Sequence, residues 1–226
     1  MAAKKTKAKV TRRILIVDDH PMMRQGLAQL INSEPDLSVQ GEADTAGQAL
    51  NEVSAGKPDL VLLDISLPDK NGLELIKDIH TLHPDVLILV VSMHDEALYA
   101  ERVLRAGACG YIMKQEGGKK LMGAIRQVLS GQIYVSEKMS ARILEIFSGR
   151  RTAASGSPVE RLSDREFEVF QFIGEGRGTR EIAERLHLSV KTVEVHRANI
   201  KEKLNLKTAT DLVRFAVRWT DVQAIS

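Results

Sequence analysis

The chain has 226 residues, 32 Lys+Arg against 30 Asp+Glu, 43% apolar residues and one cysteine. That length suits one large domain or two small ones, and a lone cysteine excludes both an internal disulfide and a cysteine zinc cage, so a cytoplasmic chain is expected. The longest apolar run, residues 86–91, falls far short of the ~20 residues of a membrane helix, and the polar, basic first 13 residues offer no signal-peptide core; neither export nor a membrane partner is expected.

The net charge of +2 is unevenly spread. Residues 1–13 carry six basic and no acidic groups, residues 14–135 carry 10 basic and 17 acidic, and residues 161–226 carry 12 basic and 10 acidic. An acidic body followed by a mildly basic end suggests divided labour. Residues 1–13 read as a disordered basic tail.

From residue 14 to 135, short β-rich runs alternate with amphipathic stretches. The runs are Ile14–Val17, Ser38–Glu42, Leu60–Leu63, Leu87–Val91 and Gly110–Met113. Between them lie helical spacings such as Met22, Met23, Leu27, Leu30 and Ile31, or Leu73, Leu75, Ile76 and Ile79. Strands alternating with helices, with near-continuous apolar runs, predict a five-stranded doubly wound parallel sheet of the flavodoxin-like α/β kind. Residues 136–160 read as a linker: a helix with Met139, Ile143, Leu144 and Phe147 at helical spacing, then a Gly/Ser-rich stretch at 148–158. From Leu162 onward the pattern is helical, predicting a second, all-α domain over 161–226. Ser163, Asp164, Arg165 and Glu166 form a capping box that starts its first helix, with Leu162 and Phe167 at the staple positions.

In an open parallel sheet, ligands bind beyond the carboxyl ends of the strands. Asp18 and Asp19 fall there after the first run, Asp64 after the third, Ser92 after the fourth and Lys114 just past the fifth. Any one Asp in such a loop can be a helix cap, but five polar groups on one edge argue for a site. Close carboxylates repel unless a hard cation neutralises them, and oxygen donors suit Mg²⁺. A lysine and a hydroxyl can hold phosphoryl oxygens, and a carboxylate can itself accept a phosphoryl group.

The motifs Val17-Asp18-Asp19-His20, Leu62-Leu63-Asp64-Ile65-Ser66-Leu67-Pro68 with Gly72, Val90-Val91-Ser92, and Gly107 to Lys114 resemble the receiver domain of two-component response regulators. The resemblance implies that Asp64 is the phosphoacceptor. It implies that Asp18, Asp19, Asp64 and the backbone carbonyl of Ser66 hold Mg²⁺, that Lys114 pairs with the phosphoryl group, and that Ser92 and Tyr111 are switch residues. Serine replaces the commoner threonine at 92, and Leu67 stands where methionine is frequent. Phosphorylation adds charge at Asp64, Ser92 can move to bond it, and Tyr111 can fill the space Ser92 leaves. Driving a 1:99 equilibrium to 99:1 takes roughly 5.5 kcal/mol.

Residues 178–200 read as two helices joined by a tight turn, capped by Thr179 and Ser189, with small Ala183 allowing close approach: a helix-turn-helix. Val193, His196, Ile200 and Leu204 fall on one stripe, expected to face the core. Off it, Glu194, Val195 and Ala198 are candidates for base edges, and Lys191, Thr192, Arg197 and Lys201 for phosphates. The segment 161–217 resembles the four-helix DNA-binding domain of the NarL/FixJ/LuxR family, departing at Arg177-Gly178-Thr179-Arg180 and at Ala198. That family commonly dimerises through its last helix, here near Thr210–Val217.

The whole is expected to be a transcription regulator controlled by phosphorylation: a sensor histidine kinase as donor, promoter DNA as target, a homodimer on activation, and no metabolic turnover. Two rivals are a Mg²⁺-dependent phosphatase working through an aspartyl phosphate, which usually carries Asp-x-Asp where this chain has Asp64-Ile65-Ser66, and a receiver that is never phosphorylated. Among lesser signals, Gly174 to Gly178 reads as a turn rather than a phosphate loop, His80 and His83 as a helix end rather than a metal site, His196 as a core histidine, and Cys109 as a small buried hydrophobe.

Overall fold

Five short apolar runs pair into one parallel sheet: β1 (Arg12–Val17), β2 (Leu37–Ala43), β3 (Leu60–Leu63), β4 (Leu87–Ser92) and β5 (Gly110–Met113), in the order β2-β1-β3-β4-β5. In this computed structural model the described residues are 11–148, 158–186 and 188–225. The crossovers are α1 (Pro21–Asn32), α2 (Ala46–Gly56), α3 (Gly72–Leu82) and α4 (Glu96–Ala106), and α5 (Gly118–Leu129) follows β5. Alternation sends successive side chains to opposite faces. Ile14, Ile16, Leu60, Leu62, Leu89, Val91 and Ile112 form one core layer with Leu27 and Ile31 of α1 and Leu121, Ile125 and Val128 of α5. Leu15, Val17, Val61, Leu63 and Val90 are equally buried on the opposite face, where α2, α3 and α4 lie. Burial on both faces is why the strands read as unbroken apolar runs.

The sheet begins two residues earlier than the charge pattern suggested. Arg12 and Arg13, assigned to the basic tail, are the first residues of β1. Asp59 draws them in: its carboxylate accepts from Arg12 Nη1 at 2.9 Å and from the Arg13 backbone N–H at 2.8 Å. Residues 1–10 of the tail, residues 149–157 of the linker and His187 lie outside the described residues.

The linker helix is α6 (Glu137–Phe147), and the chain divides into two compact units within it, Met1–Ile143 and Leu144–Ser226. Its first half is fastened to the sheet unit. Ser136 N–H donates to Glu96 at 2.7 Å, Arg142 donates to the Ala97 carbonyl at 3.1 Å, and Met139 is buried.

The second unit contains α7 (Asp164–Gly174), α8 (Thr179–Arg185), α9 (Val190–Lys203) and α10 (Ala209–Ile225). The capping box at Ser163 and Glu166 is formed on both sides, and Leu162 and Phe167 are buried. Ser189 caps α9 by accepting from Thr192 N–H. The start of α8 differs from expectation: Gly178 is the N-cap and Thr179 the first helical residue, because the chain is still extended at Gly178 and its carbonyl already accepts the Ile182 N–H. α10 also runs well past Val217. Phe167 and Phe170 meet Trp219 edge-on, and Phe170 packs on Phe215. A Cβ at Gly174 would lie 2.9 Å from the Ala216 carbonyl, so glycine permits the close α7–α10 crossing.

Candidate functional site

Strand order reverses between β1 and β3, and the loops leaving them bring together the residues expected there. Asp18, Asp64 and Ser92 are buried. Lys114, whose side chain is only 4% exposed, reaches back from the end of β5 to place Nζ 2.7 Å from Asp18 Oδ2 and 2.7 Å from Asp64 Oδ2. Burial works to lower the Lys114 pKa, but the two ion pairs outweigh it and hold the ammonium above its ordinary value. The side chain is a fixed cation between two carboxylates.

One acceptor is left over. Asp19 Oδ1 is buried and accepts no hydrogen bond; His20 Nδ1 lies 2.6 Å from it, off hydrogen-bond geometry. Ligand atoms of Asp18, Asp19, His20 and Asp64 all fall within 4.8 Å of one another. Three carboxylates against one ammonium leave two excess negative charges, the charge of one divalent cation. An orphaned acceptor, oxygen donors and that excess fit a hard divalent ion such as Mg²⁺.

Loop geometry holds these groups in place. Asp64 N–H donates to the Val17 carbonyl at 2.8 Å, tying the two loops together. Ser66 N–H approaches Asp64 Oδ1 at 3.3 Å. Gly72 closes the loop after β3: its N–H donates to the Ile65 carbonyl at 3.0 Å, and a Cβ there would sit 2.6 Å from Ile65 Cα. Only glycine allows that approach, which folds Ser66 back toward the sheet edge.

Two residues that periodicity did not single out complete the site. Arg24, on the first turns of α1, donates to the Asp18 carbonyl at 2.6 Å while pairing with Glu42 at 3.3 Å. His94 bonds the Ser66 hydroxyl through Nε2 at 3.0 Å and stacks on Tyr99. Burial lowers the His94 pKa against the opposing pull of Asp64. His94 N–H also donates to Ser92 Oγ at 3.3 Å, and its carbonyl accepts from Tyr111 OH at 2.7 Å. Burial drives the Tyr111 pKa well up, keeping the hydroxyl a donor. The Tyr111 ring is fully buried. The only sequence signal for these two was position: His94 two residues past Ser92, Arg24 one turn past His20.

On α9, Val193 and Ile200 are fully buried and His196 and Leu204 half-buried. Lys191, Glu194, Val195 and Ala198 are exposed, and Thr192, Arg197 and Lys201 half-buried. Val195 is 51% exposed, a large apolar group on an otherwise polar face. His196 has a buried Nδ1 without a hydrogen bond, and burial lowers its pKa. Cys109 is half-buried against the sheet core, and His83 is the C-cap of α3, as its place before Pro84 implied.

An aspartate-lined switch point on a β2-β1-β3-β4-β5 sheet, followed by a capped helix-turn-helix, defines a phosphorylation-controlled DNA-binding regulator. The chain belongs to the response regulators that join a receiver domain to a LuxR-type DNA-binding domain: the response regulator receiver domain family matches residues 14–126, and the bacterial regulatory proteins of the luxR family match residues 160–216. Among its relatives is the oxygen regulatory protein NreC of Staphylococcus carnosus, 37% identical over 210 residues that span 91% of this chain and 97% of the relative. Among solved structures, RcsB from Salmonella enterica serovar Typhimurium, bound to promoter rprA with the phosphomimetic BeF3⁻, aligns with a TM-score of 0.68 at 26% identity, covering 92% of this chain and 98% of that one. A LuxR-family response regulator from Aurantimonas aligns over 61% of this chain and 99% of its own, at 34% identity and a TM-score of 0.57. Among the described residues no helix is long and apolar enough to cross a membrane.

Proposed function

We propose that Asp64 accepts a phosphoryl group from a sensor histidine kinase and that the modified chain binds promoter DNA as a homodimer. The observation that carries this reading is the Asp64 carboxylate, buried at the reversal of strand order and bonded to Lys114. Asp18, Asp19, Asp64 and the Ser66 carbonyl would hold Mg²⁺, which supplies charge neutralisation for the incoming phosphoryl oxygens. Lys114, freed from its bond to Asp64 when that carboxylate becomes an acyl phosphate, pairs with a phosphoryl oxygen while keeping its bond to Asp18. Ser92 turns its hydroxyl to the phosphoryl group, which loosens its bond to the His94 N–H. Because Tyr111 holds the other end of His94, the change passes to the loop that leads into α4.

At the other end of the chain, α9 enters the major groove. Glu194, Val195 and Ala198 meet base edges, where a carboxylate accepts from cytosine and a valine touches a thymine methyl. Lys191, Thr192, Arg197 and Lys201 contact phosphates. RcsB in complex with promoter DNA is a precedent on a similar fold. The protein acts in the cytoplasm, as a switch rather than an enzyme turning over a metabolite.

The test incubates the wild type and Asp64→Asn with Mg²⁺ and a small phosphodonor, then measures acid-labile phosphate, oligomeric state and promoter affinity. Phosphate uptake, dimerisation and tighter binding are expected of the wild type alone. A wild type that takes up no phosphate overturns the switch; steady release of phosphate from a phosphomonoester points to the phosphatase.

A further inference from the structure

The loop after α9 and one face of α10 border a groove that shares no residue with the aspartate cluster or with the exposed face of α9. It has a volume of about 530 Å³ and is lined by Asn205, Leu206, Lys207, Asp211, Arg214, Phe215, Arg218 and Trp219. Its apolar wall is Leu206, Phe215 and Trp219, each half-buried. Its rim carries three exposed cations, Lys207, Arg214 and Arg218, which form no ion pair among the described residues. The one carboxylate, Asp211, is spent locally: it accepts from the Thr208 N–H at 3.1 Å and the Thr208 hydroxyl at 2.7 Å, starting α10. Those bonds, with a smaller pull from the Arg214 charge, lower its pKa, so it stays ionised and tethered. Arg218 and Trp219 lie just beyond the segment matched by the luxR family, which ends at residue 216.

We infer that this groove docks an acidic segment of a partner protein that inserts an apolar side chain between Leu206, Phe215 and Trp219. Charge complementarity selects that occupant. Three exposed cations against one tethered carboxylate, around an aromatic wall, match carboxylates flanking an apolar anchor, whereas nucleic acid phosphates offer no apolar group to fill the floor. Arginine and tryptophan are also the residues that most often anchor interfaces.

Trp219 is the only tryptophan in the chain, so its emission reports on the groove in the full-length protein. The probe is a synthetic peptide of Asp and Glu carrying one Phe and one Leu. Its titration is expected to shift Trp219 emission saturably, and affinity should drop about tenfold in Arg214→Glu and again in Arg218→Glu, with thermal unfolding of both variants unchanged. Replacing Phe and Leu of the peptide by Ser should abolish the shift, and Asp64→Asn should bind the peptide normally. Three results overturn the inference: no saturable shift, equal binding by the Ser-substituted peptide, or a shift produced as well by non-specific duplex DNA. Emission of the unphosphorylated protein that changes with protein concentration in the absence of peptide also overturns it, because a second copy would then occupy the groove without the activation on which the proposed homodimer depends.

Discussion

The two candidate sites handle charge in opposite ways. In the receiver, Asp18, Asp64 and Lys114 are withdrawn from solvent and bonded to one another, so each charge is held by its partners at high cost if one is removed. On α9, Lys191, Glu194 and Val195 stand in solvent above a buried stripe, so each acts nearly alone. A buried triad suits a two-state switch, because a change at one member forces the others to rearrange. An exposed helix face suits recognition, because its residues can be exchanged without disturbing the fold that carries them.

That contrast can be broken by experiment. Asp64→Asn should eliminate acid-labile phosphate entirely while leaving the chain folded. Lys114→Ala leaves two buried carboxylates facing each other and should cost about 3–5 kcal/mol in urea unfolding without metal; millimolar Mg²⁺ should recover part of it. A loss below 1 kcal/mol, a bound set by ordinary surface pairs, would mean that the triad is solvated.

The two faces of α9 should differ more sharply still. Ile200→Ala should destabilise the second unit by about 2–5 kcal/mol through a cavity, whereas Val195→Ala should change stability by no more than about 0.5 kcal/mol yet alter promoter preference. Equal effects on stability would refute the assignment of the faces.

A smaller effect comes from Glu166. Burial acts to raise its pKa, but Lys203 at 2.6 Å and the Ser163 N–H outweigh burial and hold it below the ordinary carboxylate value. Its contribution is therefore complete at neutral pH and is lost as the pH falls through its folded-state pKa, below the usual carboxylate range. Glu166→Gln should flatten the acid limb of the stability profile, and an unchanged profile would place the acid sensitivity elsewhere. Smallest of all, Lys191→Ala should weaken binding to every DNA sequence alike and reduce the salt slope by about one unit.

Much of this architecture was legible in local pattern. The Leu60–Leu63 and Gly110–Met113 runs match β3 and β5 residue for residue, and the Ser163 capping box stands as read. Errors fell where a distant partner or the backbone decided. Arg12 and Arg13 resembled a solvated basic tail because Asp59 is 46 residues away from Arg13. Thr179 has the right chemistry for a cap, but backbone conformation gives that place to Gly178.

The sequence by itself determined the order of strands and helices, the strand ends that carry Asp18, Asp19 and Asp64, and the buried stripe of α9. Periodicity, capping and side-chain chemistry act within a turn or two of chain. Tertiary structure alone decided which groups meet. It brought Lys114 to Asp64 across 50 residues, made His94 the bridge between Ser92 and Tyr111, and set Trp219 beside Leu206 in a cationic groove. Such pairings depend on how the chain returns on itself, and burial then turns each proximity into a strong and specific interaction.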